Sequence, residues 1–137
     1  MSCVFCDIIG KKLSAHVVLE DDVALGFLDK SPLFVGHVLV VPKKHVVTLP
    51  ELPTESLGPF FERVRSVARA LPHALGAQGT FVAMNNIVSQ SVAHLHVHVV
   101  PRTKGDGLKG FFWPRTKYKS DEQMRETADK IRPHVDV

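Results

Sequence analysis

Short apolar runs separated by turn residues occur along the chain and predict five β-strands. The first two runs flank the acidic turn Asp21-Asp22 and indicate a tight hairpin. Pro42 and Pro101 each follow an apolar run, and a residue without a backbone N–H is expected to end a strand. The predicted strands span residues 17–20, 23–28, 37–41, 80–84 and 92–100.

Two further stretches are predicted to be helical. Residues 56–71 have apolar positions at three- and four-residue spacing, and the helix is expected to begin near residue 56 because Pro59 is tolerated only in a first turn. After an aromatic cluster at 111–113, Ser120 and Gln123 form a capping box that predicts a C-terminal helix. Strands and helices do not alternate, so the order favours an α+β fold with an antiparallel sheet.

The composition fits one soluble domain over residues 1–137, with 45% hydrophobic and 23% charged residues. No apolar run approaches the roughly 18 residues that a membrane-spanning helix needs. The N-terminus lacks the basic and apolar segments of a signal peptide, which predicts a cytoplasmic protein. The net charge is +3, but lysines and arginines are dispersed, so no dedicated nucleic-acid partner is expected.

Histidines alternate with aliphatic residues in segment 94–98, which reads His-Leu-His-Val-His. On a β-strand the three imidazoles would share one face. An exposed strand face that happens to carry histidines is one interpretation. A metal site is another, but same-face neighbours about 6.6 Å apart do not easily converge on one ion, so at most one or two would bind metal. The third is chemical, because a neutral imidazole can attack phosphorus without a separate base.

Cys3 and Cys6 form a Cys-x-x-Cys pair, which is compatible with a redox pair, a metal site or two unrelated thiols. A redox motif of this kind is expected before a helix in a βαβ unit, which the chain lacks. A structural zinc site would need two more ligands, usually histidines.

Segment 90–102, Gln-Ser-Val-Ala-His-Leu-His-Val-His-Val-Val-Pro-Arg, resembles the His-x-His-x-His motif of the histidine triad (HIT) family. The resemblance extends from Cys3 to Trp113 and is reinforced by the order and spacing of residues 27–29, 36–40 and 42–45. It implies a HIT-like fold, with a five-stranded antiparallel sheet, one long helix and a C-terminal helix.

The resemblance also implies a reaction. The middle histidine, His96, would attack the α-phosphorus of a nucleotide and form a nucleotidyl-histidine intermediate that water later cleaves. His98 would lie near the leaving group. Gln90 and Ser91 are similar to residues that bind the α-phosphate, where hydrogen-bond donors suit the developing charge. Asp29 is similar to the acid that accepts the ribose hydroxyls.

Three apolar residues, Phe5, Ile8 and Phe27, resemble the walls of the base pocket, a slot suited to a purine. An ordinary core position is an equally good interpretation of each. His37 resembles a buried histidine that orients the triad without reacting.

The loop before the triad departs from the family pattern. Many members have a glycine-rich loop ending in Ala-Gly-Gln, whereas residues 85–90 read Asn-Asn-Ile-Val-Ser-Gln. The difference bears on whether Asn85 or Asn86 contacts the substrate, and Asn85 is the predicted contact.

The chain also resembles the branch of the family that has this cysteine pair, in which two thiolates and two histidines bind zinc. The resemblance therefore implies a structural zinc site made of Cys3, Cys6, His45 and His94, without an open position that could activate water.

The implied activity is hydrolysis of a purine nucleoside phosphoramidate, or a related nucleotide conjugate, at the α-phosphate. Hydrolysis of dinucleoside polyphosphates and nucleotidyl transfer to phosphate, as in a transferase or phosphorylase, stay open as alternatives. A non-catalytic nucleotide-binding regulator is a further alternative, although binding alone does not need a nucleophile. A homodimer with a continuous sheet is expected from the resemblance alone.

Overall fold

The computed structural model describes residues 2–109 and 115–135, so the aromatic cluster at 111–113 lies outside the described residues. The chain divides into two compact units, one ending at Asp106 and the other beginning at Gly107. That one domain spans the whole chain stays a prediction. Among the described residues, no helix has the length and apolar character needed to cross a lipid bilayer.

The first unit is built on a five-stranded antiparallel sheet, which confirms the predicted α+β fold. Its strands are β1 (Val17–Glu20), β2 (Ala24–Leu28), β3 (Val38–Pro42), β4 (Gly79–Ala83) and β5 (Val97–Arg102). Their order across the sheet is β1-β2-β3-β5-β4, so β5 lies between β3 and β4.

The prediction that Pro101 ends a strand is wrong, because β5 continues to Arg102. β3 pairs with β5 only as far as the Val38 and Val99 partners, whereas β4 continues to the pair formed by Thr80 and Pro101. Pro101 therefore lies where β5 has a neighbour on one side only, and a missing N–H can be tolerated there.

The start of β5 also differs from the prediction. The strand begins at Val97, so His94 and His96 precede it and only His98 lies within it. The N–H of Leu95 donates to the carbonyl of Val46 at 2.7 Å, a contact with the connection after β3.

The described residues form three α-helices, namely α1 (Val4–Ile9), α2 (Thr54–Leu75) and α3 (Asp121–Ile131). α1 was not among the elements predicted from the sequence. α2 begins two residues before its predicted start, so Pro59 stands in the second turn and not in the first. Pro59 has no N–H to donate to the carbonyl of Glu55, but this turn lies at an exposed end of the helix, where water can donate to that carbonyl.

The sheet is covered on both faces. α2 buries Phe60, Val64, Val67 and Leu71 on one face, in a cluster with Val38, Val40, Val97 and Val99. The opposite face carries a second cluster that includes Phe5 of α1 together with Phe27, Leu39 and Val41. Because alternate residues of β3 enter different clusters, the strand has no polar face, which explains its continuous apolar run.

The turn before β3 requires glycine. Gly36 has φ of +100°, and an added Cβ would collide with the side chain of Leu75. A left-handed conformation is readily adopted only by glycine.

The second unit contains α3, whose predicted cap is confirmed. The hydroxyl of Ser120 accepts the N–H of Gln123 at 3.1 Å, and the Gln123 side chain accepts the N–H of Lys119 at 2.6 Å. The reciprocal bond of the capping box thus falls one residue before the cap itself.

Candidate functional site

The three histidines of segment 94–98 lie on the sheet face opposite α2. His98 is the cross-strand partner of Leu39, whose side chain belongs to the cluster on that face. The ring centroids of His96 and His98 are 5.2 Å apart, and the Phe5 ring contacts both His94 and His96. His94 and His96 are buried, at 0% and 2% exposure, and only His98 is half-buried.

One hydrogen bond determines which ring nitrogen of His96 carries the proton. Its Nδ1 lies 2.8 Å from the backbone carbonyl oxygen of His94. A carbonyl only accepts, so Nδ1 carries the proton, and in the neutral ring Nε2 keeps its lone pair. The arrangement suits a nucleophile, because the reactive nitrogen is defined before a substrate arrives.

Two successive hydrogen bonds determine which ring nitrogen of His98 carries the proton. The N–H of Leu33 donates to Nδ1 of His37 at 3.0 Å, which places the His37 proton on Nε2. That Nε2 lies 2.9 Å from Nδ1 of His98 and donates to it. The proton of neutral His98 is therefore on Nε2, from which it can donate a hydrogen bond to a leaving group.

Burial keeps both of these histidines neutral. Burial, together with the nearby His96 and His37, lowers the pKa of His98 to about 4, although the charge of Asp29 opposes the shift. Burial also lowers the pKa of His37, which the charge of Asp29 partly opposes. At neutral pH the pair thus carries one proton on each ring.

Asp29 lies beside this pair. Its Oδ2 is 3.7 Å from Nε2 of His37, and its Oδ1 accepts the N–H of Ser31 at 2.9 Å. Asp29, His37 and His98 place their ligand atoms within 4.8 Å of one another, the spacing of a metal site. However, the Leu33 N–H directs the His37 proton towards the other two side chains, which favours a proton network there.

Cys3, Cys6, His45 and His94 form a second cluster, with ligand atoms within 4.8 Å of one another. Nδ1 of His94 lies 3.5 Å from the Cys3 sulfur, 3.6 Å from the Cys6 sulfur and 3.1 Å from Nδ1 of His45. The Cys6 sulfur is 3.3 Å from Nδ1 of His45. Around a tetrahedral zinc, such atoms lie about 3.3–3.8 Å apart, so the donor set and its spacing both fit zinc.

The surroundings of His94 suit this role. Its Nε2 donates to the carbonyl of Pro42 at 2.9 Å, which leaves the lone pair of Nδ1 directed into the cluster. Burial lowers the pKa of His94 and so favours the neutral ring that binds metals. In the metal-free protein, burial and the neighbouring Cys3 raise the pKa of the Cys6 thiol.

The residues predicted to contact the base differ in exposure. Phe5 and Phe27 are only 6% and 4% exposed and lie in the core cluster, whereas Ile8 is half-buried. Ile8 also lines a groove of about 470 Å³ with residues 11–15 and Val17. Leu13 is 46% exposed in this groove, and the sequence gives no signal of that position, because Leu13 precedes the first predicted strand and belongs to no apolar repeat.

Several side chains of the loop over residues 85–91 that were predicted to contact the substrate form hydrogen bonds to backbone groups of the protein. The Gln90 side chain donates to the carbonyl of Val47 at 2.6 Å and accepts the N–H of Ile87 at 2.8 Å. Asn85 donates to the carbonyl of Ser89, and Asn86 accepts the N–H of Leu49.

Ser91, the last residue of this loop, is exposed and therefore accessible to a ligand. Its contact with the α-phosphate stays a prediction.

The family comparison matches the HIT domain over residues 11–105. The chain is 33% identical to the adenosine 5′-monophosphoramidase hnt1 of Schizosaccharomyces pombe, over 98% of this chain and 99% of that protein. A crystal structure of a HIT family member from Bacillus subtilis superposes with a TM-score of 0.88 at 31% identity, covering 100% of this chain and 99% of the other. A zinc-bound histidine triad family protein from Mycobacterium smegmatis gives a TM-score of 0.75 at 34% identity, covering 98% and 99%.

Proposed function

This chain belongs to the HIT domain family, and we propose that it hydrolyses purine nucleoside phosphoramidates or related nucleotide conjugates at the α-phosphate. Nucleotide hydrolysis is the general activity that the family supports. The phosphoramidate is the finer proposal, and it is supported by the similarity to a monophosphoramidase over nearly the whole length of both chains.

The observation that carries the proposal is the hydrogen bond from Nδ1 of His96 to the His94 carbonyl. It leaves Nε2 as a nucleophile beside His98, whose own Nε2 carries a proton. A nucleotide-binding regulator needs no defined nucleophile.

In the first step, the lone pair of His96 Nε2 forms a bond to the α-phosphorus, and the bond from phosphorus to the leaving nitrogen breaks. The leaving nitrogen reacts in its protonated form, so it departs as a neutral amine, which can accept a hydrogen bond from His98 Nε2. His98 keeps its proton, and its Nδ1 still accepts from His37, so neither ring becomes an anion.

In the second step, water attacks the phosphorus of the nucleotidyl-histidine and the bond to His96 Nε2 breaks. A proton of the water passes to the released amine, which leaves as an ammonium ion, and His96 regains its starting form. Asp29, at the edge of this pair, would accept the two ribose hydroxyls, and Ser91 would donate to the α-phosphate oxygens. Ile8 and Leu13 would contact the purine.

We also propose that Cys3, Cys6, His45 and His94 hold a zinc ion. The spacing of their ligand atoms supports this, as does the zinc-bound Mycobacterium smegmatis relative. Four protein ligands close the coordination sphere, so the ion would connect α1 to the segment before β5 and would not activate water.

The test is turnover of a panel of substrates by purified protein, with adenosine and guanosine phosphoramidates, diadenosine polyphosphates and adenylyl sulfate. We expect the phosphoramidates to give the highest kcat/KM. His96→Ala should abolish turnover while AMP still binds, and rapid quenching of the unaltered protein should trap one nucleotide on His96. His73→Ala, at an exposed position of α2, is the matched control and should leave turnover unchanged.

Equal turnover by His96→Ala would overturn the mechanism. Turnover that depends on added phosphate would identify a transferase, and faster turnover of diadenosine polyphosphates would overturn the proposed substrate class.

A further inference from the structure

Helix α1 is too short to hold its own position. It has six residues, and Phe5 is the one that it buries. Isolated helices of this length are not stable in water, so contacts with the rest of the protein must fix the helix. Besides Phe5, these contacts come from Ile8 and Ile9, which pack against the same core cluster, and from the sulfurs of Cys3 and Cys6, which lie 3.5 Å from Nδ1 of His94 and 3.3 Å from Nδ1 of His45.

Phe5 lies between the metal cluster and the nucleophile. Its ring stands edge-on to His96, with centroids 5.1 Å apart and planes at 78°, and to His94 at 6.0 Å and 75°. Phe27 supports it from another side, at 5.5 Å. At 6% exposure, Phe5 has little surface left for a purine.

The contact with Phe5 restricts the imidazole of His96. A single hydrogen bond from Nδ1 fixes that ring, and rotation about its last torsion would break the bond and move Nε2. This torsion is intrinsically broad, because it joins a tetrahedral carbon to a trigonal ring carbon. The Phe5 ring, whose centroid is 5.1 Å from that of His96, restricts the space available to the imidazole for such a rotation.

We propose that Phe5 is a positioning residue, which keeps His96 in its reactive orientation, and that Cys3 and Cys6 keep Phe5 there through the metal site. The consequence of the contact rests on the proposed role of His96 as nucleophile. The contact itself does not, so the two can be tested apart.

The first experiment separates positioning from base binding. In zinc-loaded protein, Phe5→Ala should lower kcat by about 10- to 100-fold, the loss expected from a small misplacement of a reacting group. The dissociation constant of AMP should change by less than about threefold. Phe5→Leu keeps most of the apolar volume and should have a smaller effect in the same direction. Val4→Ala, at a 41% exposed position of α1, is the control and should change neither quantity.

The second experiment does not depend on turnover. In protein with ¹⁵N-labelled histidine, NMR should show His96 as the Nδ1–H form in the unaltered protein and in Val4→Ala. In both Phe5 variants the two nitrogen signals should move towards each other, because a ring that leaves the His94 carbonyl can exchange its proton between Nδ1 and Nε2. Removal of zinc from the unaltered protein with a chelator should produce the same change at His96. Zinc content is measured for every sample, so loss of the metal is not mistaken for loss of Phe5.

A protein without hydrolase activity, but with these NMR changes, would refute the proposed function and keep the positioning role. Weaker AMP binding in Phe5→Leu, with kcat and the His96 signals unchanged, would make Phe5 a wall of the base pocket and overturn the proposal. If Phe5→Ala does not fold, Phe5→Leu alone decides between these results. Unchanged His96 signals after zinc removal would overturn the part assigned to Cys3 and Cys6.

Discussion

Replacing His98 by asparagine tests whether this histidine is held neutral inside the protein. The Oδ1 of asparagine can accept the N–H of His37 as Nδ1 of His98 does, so the replacement mainly removes a group that titrates. The difference between the two proteins in the pH dependence of stability then reports on His98.

The sign and size follow from the pKa of His98. Burial and the nearby His96 and His37 lower it from 6.5 to about 4. As the pH falls below 6.5, the unfolded chain takes up a proton that the folded protein does not accept until about pH 4, so stability present above pH 6.5 is lost across this window. At about 1.36 kcal/mol per pH unit the full loss is about 3.4 kcal/mol, of which about 2 kcal/mol falls above about pH 5. His98 is half-buried, and solvent screening reduces this share to about 1–1.5 kcal/mol.

The assay is urea unfolding of both proteins at about pH 7.5 and about pH 5, at matched zinc content. The free energy of unfolding of the unaltered protein should fall by about 1–1.5 kcal/mol more than that of His98→Asn. Changes in groups that do not contact His98 are common to both proteins and cancel in this difference, which therefore reports on His98 together with its hydrogen-bond partner His37. Equal losses, within about 0.3 kcal/mol, would show that His98 is not a neutral buried base.

Three further results are expected. Elemental analysis should find about one zinc per chain, and none when Cys3→Ser and Cys6→Ser are combined, whereas zinc retained by that double variant would contradict the ligand set. Asp29→Asn should raise KM for a ribonucleoside substrate by about tenfold and remove the preference over the 2′-deoxy compound in steady-state kinetics, and an unchanged preference would exclude Asp29 from the ribose. Gly36→Ala should lower the free energy of unfolding by about 1–2 kcal/mol in urea titrations, since φ is +100° and Leu75 is close; full stability would mean that the turn can relax.

The sheet and α2 could be predicted because their apolar spacing follows from which side chains meet the core. β5 could not be bounded in the same way, since its end depends on where β3 and β4 stop pairing with it, and Pro101 is tolerated only for that reason. α1 escaped prediction because its cap is the sulfur of Cys3, and cysteine is not a usual cap residue.

The sequence shows which residue types make up the site, but it does not show which ring nitrogens of the histidines carry protons. The proton on His98 is placed by a chain that begins at the backbone N–H of Leu33, and a backbone group leaves no sequence signal. The same holds for the Pro42 carbonyl that directs His94. The four candidate zinc ligands were assigned by resemblance, and the structure brings their ligand atoms together. The homodimer and the cytoplasmic location stay predictions.

The position of β5 between two strands has a consequence for how such proteins can diversify. Val97, Val99 and Val100 have no exposed surface, and amides in this part of the sheet should be among the slowest to exchange with deuterium. The loop over residues 85–91 is instead largely exposed, and its side chains bond both within the loop and to the Val47 carbonyl and the Leu49 N–H. Substitutions at loop positions that make none of these bonds should therefore leave the histidines of segment 94–98 undisturbed, so the loop is where such proteins can vary first.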